Sequence, residues 1–167
     1  MIASLMPPLS RNAVLALIGI TLVLHTVEEY LTVPIFLSAP NRLPAWLPPP
    51  RLMQNARDIH VALIIATVLP LAVIVWAILR PFKVLLILAL LIESVLLVNA
   101  GWHLLASAIV RGYAPGVITA VLINLPFGVY VLRRAVKERW IGVRTARQLI
   151  GIALLLHIVA VGSVLAG

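Results

Sequence analysis

The stretch ITLVLHTVEEYLTVPIFL, residues 20–37, sets one histidine and two adjacent glutamates in a long apolar run. The chain has five acidic residues in all, and Glu28 and Glu29 are two of them. A charged side chain at the centre of a bilayer costs about 2.5–3.5 kcal/mol on insertion scales, so such residues usually face a bundle interior or a cavity. The stretch therefore predicts a helix that carries a polar site through an apolar environment.

The composition of the whole chain identifies that environment as a lipid bilayer. Of its 167 residues, 63% are hydrophobic and 11% are charged, and the mean hydropathy is +1.15. Ordinary soluble domains are about 45–50% apolar and about 25% charged. A soluble fold of this length could not hide so much apolar surface. The lack of cysteine excludes disulfides, thiolate chemistry and cysteine-ligated zinc.

Five apolar segments follow one another, each close to the length of about 20 residues that a helix needs to cross a bilayer. They run roughly from Ala13 to Leu37, Ile59 to Leu79, Phe82 to Val110, Pro115 to Leu132 and Ala146 to Ala166. We therefore predict that residues 1–167 form a single all-α domain, a polytopic membrane bundle of about five transmembrane helices. Pro70 and Pro126 lie inside segments and predict kinks, which membrane helices tolerate.

The distribution of basic residues predicts the orientation of this bundle. The net charge of +8 comes from residues beside the apolar spans, which indicates membrane topology and attraction to anionic lipid, not nucleic-acid binding. On the side of the N-terminus lie Arg11, Arg80, Lys83, Arg133, Arg134, Lys137, Arg139, Arg144 and Arg147; on the other side lie Arg42, Arg51, Arg57 and Arg111. The positive-inside rule places the N-terminus in the cytoplasm and the C-terminus outside, in the plasma or inner membrane.

Polar residues of the first three segments have helical spacing and similar predicted depth, in the outer half of the membrane. The sets at i,i+3 or i,i+4 are His25 with Glu28 and Glu29, Arg57 with His60, and Asn99 with His103. Residues at these spacings share a helix face. Three such faces turned inward predict one buried pocket of histidines, carboxylates and a guanidinium.

Several of these residues also have a purely structural interpretation. The apolar run before His25 has only twelve residues, so a helix that ended there would let Glu28 and Glu29 reach water. Arg57 and Arg111 can extend along apolar surface toward the headgroups. The loop SAPNRLPAWLPPPRLMQNARD, residues 38–58, carries five prolines and one tryptophan. It fits a rigid linker, or a lid over a site that opens outward.

Three motifs resemble those of the HXXEE-domain family of integral membrane proteins. They are HTVEE at 25–29, ARDIH at 56–60 and HLLASAIVRGYAPG at 103–116. The resemblance implies that the family's characteristic positions are His25, Glu28, Glu29, Arg57, His60, His103 and Arg111. It implies no particular reaction, because the family is named for its motif. A partial similarity to the membrane-embedded CAAX-type proteases fails at Val33, where that family expects arginine.

The first functional hypothesis is a metal-dependent membrane enzyme, hydrolase-like, acting on a lipophilic or amphipathic substrate. Histidine nitrogen and carboxylate oxygen suit zinc or non-haem iron and need no thiolate. A nearby carboxylate can deprotonate a metal-bound water, and arginines can hold an anionic headgroup. The hypothesis assigns the metal to His25, Glu28, His60 and His103, the base to Glu29, and the headgroup to Arg57 and Arg111. The same donors could hold two iron atoms in an oxidase.

Two further hypotheses need no metal. Glutamate and histidine in a dry pocket have perturbed proton affinities, which suits an acid/base isomerase or cyclase acting on a lipophilic substrate. Alternatively, the same groups could serve as a relay in a proton-coupled carrier, or mark a lipid-binding membrane module. The missing internal repeat is unlike the usual transporter plan. The sequence leaves open the roles of Glu93, Asn99, Asn124 and His157.

Overall fold

The computed structural model describes residues 9–38 and 56–166, and every regular element within these ranges is helical. The five long helices are α1 (Arg11–Ser38), α2 (Ala56–Leu79), α3 (Lys83–Val110), α4 (Val117–Lys137) and α5 (Val143–Ala166). Each is long and apolar enough to cross a membrane. The predicted all-α bundle of about five transmembrane helices is thus confirmed, and the chain is an integral membrane protein. Of the predicted linker or lid at 38–58, residues 39–55, with Arg42 and Arg51, lie outside the described residues, and its two ends belong to α1 and α2.

Successive helices run antiparallel. Short turns join α2 to α3, α3 to α4 and α4 to α5. Between α1 and α2, Tyr30 contacts His60, Thr26 bonds to Thr67, and Gly19 faces Leu71, so one helix ascends as the other descends. The ends of α1 and α3 therefore meet the beginnings of α2 and α4, and we call this end of the bundle the site end. The opposite end, where α1 and α3 begin, we call the basic end.

Helix α3 lies at the centre of the bundle and packs against the other four helices. The buried apolar core occupies mainly the half of the bundle toward the basic end, and its largest fully buried members include Leu15, Ile18, Ile74 and Leu90. Helices α2 and α5 keep many large apolar side chains exposed. Exposed apolar surface of this kind suits contact with lipid chains, because the helices satisfy their own backbone hydrogen bonds.

Helix α4 is irregular near its start. One α-helical turn, Val117–Thr119, leads into a π-helical turn, Ala120–Asn124, and the α-helix resumes at Leu125–Lys137. The Leu125 N–H donates to the carbonyl of Ala120, an i→i+5 bond, and Pro126 follows directly with no N–H to offer. Single π-helical turns occur frequently at functional sites. Here the turn lies just beyond the residues that contact the glutamates of α1.

Candidate functional site

Three donor side chains meet at the site end, inside the bundle. His25 and Glu29 lie one turn apart on α1, and α3 brings His103 against them. Nε2 of His103 is 3.3 Å from Oε1 of Glu29, and Nε2 of His25 is 3.8 Å from Oε2 of the same carboxylate. One ligand atom from each residue lies within 4.8 Å of the others. His25 is 2% exposed and His103 is 7% exposed. We call these three residues the His/Glu cluster.

Asn99 joins the two histidines of the cluster. Its side-chain nitrogen lies 2.9 Å from Nε2 of His25 and 2.9 Å from Nε2 of His103. A carboxamide nitrogen carries two N–H donors, so one can be donated to each ring. Both imidazole Nε2 atoms are then acceptors whose lone pairs point toward a common position beside Glu29. Asn99 reaches this place because it precedes His103 by one turn of α3.

Glu28 points away from the cluster and caps the start of α4. Its Oε1 accepts from the Tyr113 hydroxyl at 2.7 Å and from the Ile118 N–H at 3.1 Å. Its Oε2 accepts from the N–H of Thr119 at 2.7 Å and from the hydroxyl of Thr119 at 2.6 Å. The first N–H groups of a helix lack internal partners, so a carboxylate is favoured there. Burial raises the pKa of the Tyr113 phenol, which keeps it a proton donor to Glu28.

Thr119 connects Glu28 to His25 and determines how the imidazole is protonated. The Thr119 hydroxyl has a single proton, and a carboxylate can only accept. The 2.6 Å contact with Glu28 therefore takes that proton, in preference to the Gly116 carbonyl at 3.3 Å. The 2.7 Å contact between Thr119 Oγ1 and His25 Nδ1 must then be donated by His25. This leaves Nε2 of His25 as the unprotonated nitrogen, directed into the cluster.

Gly116 covers the cluster at the site end. Its φ of +82° lies in the left-handed region that favours glycine. A Cβ added there would lie 2.8 Å from Cε1 of both His25 and His103, and 3.0 Å from Cγ of Glu29. Glycine is thus required by both its backbone conformation and its close approach to three side chains. The turn between α3 and α4 thereby closes over the cluster.

His60 lies outside the cluster and bonds to the backbone of α1. Its Nε2 is 3.1 Å from the Tyr30 carbonyl oxygen, and its ring stacks on the Tyr30 ring at 3.9 Å. The Tyr30 carbonyl would normally accept from the residue four positions on, but that residue is Pro34, which has no N–H. A backbone carbonyl at membrane depth needs a partner. His60 Nε2–H is that partner, so this histidine supplies the hydrogen-bond donor that Pro34 lacks.

The predicted arginines are both exposed residues at helix ends. Arg57 is exposed in the first turn of α2. Arg111 is exposed as well, and it ends α3 in the left-handed conformation with φ 51°. Both stand at the site end. Of the predicted site residues, the structure thus brings together His25, Glu29 and His103, and it connects Glu28 to them through a threonine.

Thr119, Gly116 and Tyr113 take part in the site, although no motif or helical spacing in the sequence indicates them. The segment GYAPG at 112–116 has the composition of a turn, and that signal alone does not show what the turn covers. Threonine within an apolar segment gives an equally weak signal. Their roles depend on α4 packing against α1, which brings residues about 90 positions apart into contact.

Three polar residues whose roles the sequence left open lie elsewhere, two of them buried and His157 half-buried. Glu93 on α3 is 0% exposed, and its two carboxyl oxygens have no hydrogen-bond partner among the described residues. Oε1 of Glu93 lies 3.0 Å from where a Cβ of Gly128 would stand. Asn124, in the π-helical turn, is likewise buried, and its side-chain nitrogen and oxygen have no hydrogen-bond partner in the described ranges. His157 on α5 packs beside Trp102, with ring centroids 5.9 Å apart.

A family model described as a protein of unknown function with an HXXEE motif matches residues 16–131. This range is more than half of the chain and includes the motif at 25–29 together with His103. The chain belongs to the HXXEE family. In this member, the motif histidine and the second glutamate contribute to the His/Glu cluster, while the first glutamate caps α4. No curated protein and no solved structure matches the chain.

Two of the three donor separations in this HXXEE protein are close to those of a metal site, and all three are within 4.8 Å. Ligands about 2.0–2.2 Å from a tetrahedral centre are ~3.3–3.6 Å apart. The two contacts of the Glu29 carboxylate with the imidazoles, at 3.3 and 3.8 Å, lie close to that separation. The Asn99 amide nitrogen now donates toward the position where the lone pairs converge. A cation there would replace those two N–H donors, and the amide would have to turn away.

Proposed function

We propose that this HXXEE protein is a metal-dependent membrane enzyme, hydrolase-like, in which His25, Glu29 and His103 hold a zinc or iron ion. The observation that carries the proposal is the hydrogen-bond chain from Glu28 through Thr119 to His25. Histidines that bind metals usually donate their other ring N–H to an oriented acceptor, which fixes the tautomer and the ring. Here the Thr119 hydroxyl, held by Glu28, is that acceptor, and it directs Nε2 of His25 toward Glu29 and His103.

The proposed ligand set has three protein donors, which leaves a coordination position open for water or substrate. Two histidines and one carboxylate match both three-ligand catalytic zinc sites and the facial triad of non-haem iron enzymes. A bound ion of this kind supplies a Lewis acid and lowers the pKa of a coordinated water. Glu29 thereby becomes a ligand where the sequence predicted a base. Glu28 becomes a positioning residue where a ligand was predicted, since four donors already occupy its oxygens.

The surroundings of the cluster favour a lipophilic or amphipathic substrate. The cluster lies between membrane-spanning helices, and the Glu29 side chain is 18% exposed where those of the two histidines are 3% and 9% exposed. A substrate would therefore approach on the Glu29 side. We further propose, from the nine-to-four basic distribution, that the basic end is cytoplasmic, in the plasma or inner membrane. The site would then face the outer leaflet, and Arg57 and Arg111 would stand near its headgroups.

A second candidate function is acid/base catalysis without a metal. It is favoured by the two hydrogen bonds from Asn99, which give both histidine Nε2 atoms a protein partner without a metal. Nε2 of His103, which accepts from Asn99, would take a proton from the substrate of an isomerase or cyclase, and the Glu29 carboxyl group, 3.3 Å away, would return one to it. The non-enzymatic alternatives, a proton-coupled carrier or a lipid-binding module, would use the same groups and have no separate contact in their favour among the described residues.

Metal content separates these candidates. The protein is purified in detergent without chelators, analysed for transition metals, stripped, and then titrated with Zn²⁺, Fe²⁺ and Co²⁺. We expect about one ion per chain, lost in His25→Ala, His103→Ala and Glu29→Gln. His60→Ala is the matched control and should keep the metal, because His60 lies at the same end and, among the described residues, its hydrogen bond is to α1.

Two outcomes would overturn the metal proposal. A folded protein that takes up no metal before or after titration would leave the acid/base function in its place. Loss of metal in His60→Ala, with retention in His103→Ala, would mean that the ion is held by a different set of residues at the site end.

A further inference from the structure

A cavity of about 350 Å³ lies at the basic end of the bundle, far from the His/Glu cluster. Three cationic side chains line it, and each comes from a different element: Arg11 begins α1, Lys83 begins α3, and Arg139 lies in the turn after α4. Its apolar lining includes Leu15, Ala77, Leu86, Phe82 and Trp140. The cavity thus combines a cationic rim with an apolar floor.

The charge around this cavity is uncompensated by protein. None of the described residues that line it is acidic. All five acidic residues of the chain are described, and Glu138 is the one at this end. Its carboxylate is bonded at 2.7 Å to Arg134, a cation that does not line the cavity, so it is already paired. Three cations that converge without a counterion make a site for an anion.

Arg139 occupies a backbone position that normally favours glycine. The Trp140 N–H donates to the Ala135 carbonyl at 2.8 Å, and the Arg139 N–H donates to the Val136 carbonyl at 3.1 Å. This pair of bonds is a Schellman motif, whose left-handed residue is usually glycine. Arg139 adopts that conformation with φ 59°. Arg139 therefore lines the cavity from a turn that glycine would also suit, so its side chain can be removed without disturbing the backbone.

The cavity lies at the membrane boundary. Arg11 and Lys83 are the first residues of their spans, and Arg139 follows the end of the fourth span at Lys137 by two residues. Trp140 beside them has the amphipathic ring typical of the headgroup region. The floor continues into the buried core through Leu15 and Leu86. A free anion would need only the rim, whereas a lipid would use both the rim and the floor.

We propose that this cavity binds one anionic phospholipid, with its phosphate among Arg11, Lys83 and Arg139 and its first acyl carbons against Leu15 and Leu86. Basic pockets between transmembrane helices bind anionic headgroups by the same combination of charge and apolar contact. The inference does not depend on the proposed metal enzyme, because none of its residues touches the His/Glu cluster. It assigns a structural lipid to the end of the bundle opposite the cluster.

The test compares two triple variants that change the net charge equally. The pocket variant combines Arg11→Gln, Lys83→Gln and Arg139→Gly, the glycine being suited to the left-handed turn. The control variant combines Arg133→Gln, Arg144→Gln and Arg147→Gln, which are exposed basic residues near the same end that do not line the cavity. Each protein is delipidated in detergent and titrated with phosphatidylglycerol or phosphatidylcholine, and bound lipid is counted by native mass spectrometry.

We expect wild type and the control variant to bind one phosphatidylglycerol at least tenfold more tightly than phosphatidylcholine. The pocket variant should lose that preference. Equal loss in both triple variants would overturn the proposal, since the attraction would then be diffuse. Displacement of the lipid by millimolar inorganic phosphate would also overturn it, because the ligand would be the free ion. The single variant Arg139→Gly should weaken phosphatidylglycerol binding with unchanged helical circular dichroism, and unchanged binding would exclude its guanidinium from the site.

Discussion

Replacing Thr119 with valine tests whether the hydrogen-bond chain orients His25. The change keeps the branched shape of the side chain and removes its hydroxyl, which accepts from His25 Nδ1 at 2.7 Å and donates to Glu28 Oε2 at 2.6 Å. The backbone N–H of residue 119 still donates to Glu28 at 2.7 Å, so the start of α4 keeps its cap. The variant therefore removes the orientation of the ring while leaving the helix in place.

The expected size of the effect follows from what the hydroxyl contacts. Loss of a partner that orients a ligand typically lowers metal affinity 10–100-fold, which is about 1.4–2.8 kcal/mol. Two lost hydrogen bonds within a membrane protein contribute about 0.6 kcal/mol each to folding. We therefore expect Thr119→Val to weaken metal binding clearly and to lower the free energy of unfolding by only about 1 kcal/mol.

The assay is competition for Zn²⁺ or Co²⁺ against a chromophoric chelator, with thermal unfolding in detergent measured in parallel. Thr67→Val is the matched control, because it removes a 2.7 Å hydroxyl contact with Thr26 between α1 and α2, away from the cluster. The control should lower stability and leave the metal affinity unchanged, and Thr119→Ser should restore binding. Wild-type metal affinity in Thr119→Val would refute the orienting role. Equal weakening in both valine variants would trace the effect to helix packing.

Three further outcomes follow from contacts described above. His60→Ala should lower stability by about 0.5–1.5 kcal/mol, because it leaves the Tyr30 carbonyl without a donor. The loss should be much smaller in a Pro34→Ala background, where the N–H of residue 34 can bond to that carbonyl; thermal unfolding of wild type, both single variants and the double variant measures this coupling, and additive effects would contradict it. Gly116→Ala should lower the free energy of unfolding by about 1–2 kcal/mol from its left-handed backbone alone. It should also abolish metal uptake in the same titration, and retained uptake would show that residue 116 does not lie against the cluster. Glu93→Met should raise the melting temperature, because an unpaired buried polar group costs about 1–3 kcal/mol; a lower melting temperature would reveal a bound partner.

The five spans could be predicted because length and hydropathy are local properties of the chain. The pairing of His25 with a glutamate could also be predicted from helical spacing. Which glutamate completes the cluster could not, since Glu28 and Glu29 both share a helix face with His25. The difference arises from their neighbours: His103 on α3 approaches Glu29, and the unpaired N–H groups at the start of α4 approach Glu28.

His60 shows how tertiary context changes the meaning of a motif. Its spacing from Arg57 and its predicted depth indicate a ligand, but its structural partner is the carbonyl that Pro34 leaves without a donor. A signal was present in the sequence, because a proline inside a span always leaves the carbonyl four residues earlier in need of a partner. Only the packing of α2 on α1 shows which side chain fills that need. The orientation of the bundle in the membrane stays a prediction.

The π-helical turn Ala120–Asn124 makes chain length a one-sided constraint on the candidate site. It holds one residue more than an α-helical turn, because the Leu125 N–H bonds to the carbonyl five residues earlier. Deleting one residue would leave an ordinary i→i+4 bond, so Thr119 and Leu125–Lys137 would keep nearly the same relative orientation. Inserting one residue would rotate Thr119 by about 100° relative to the segment that packs against α3, where Gly128 meets Glu93. Thr119 would then turn away from Glu28 and His25, even if every side chain of the site were kept.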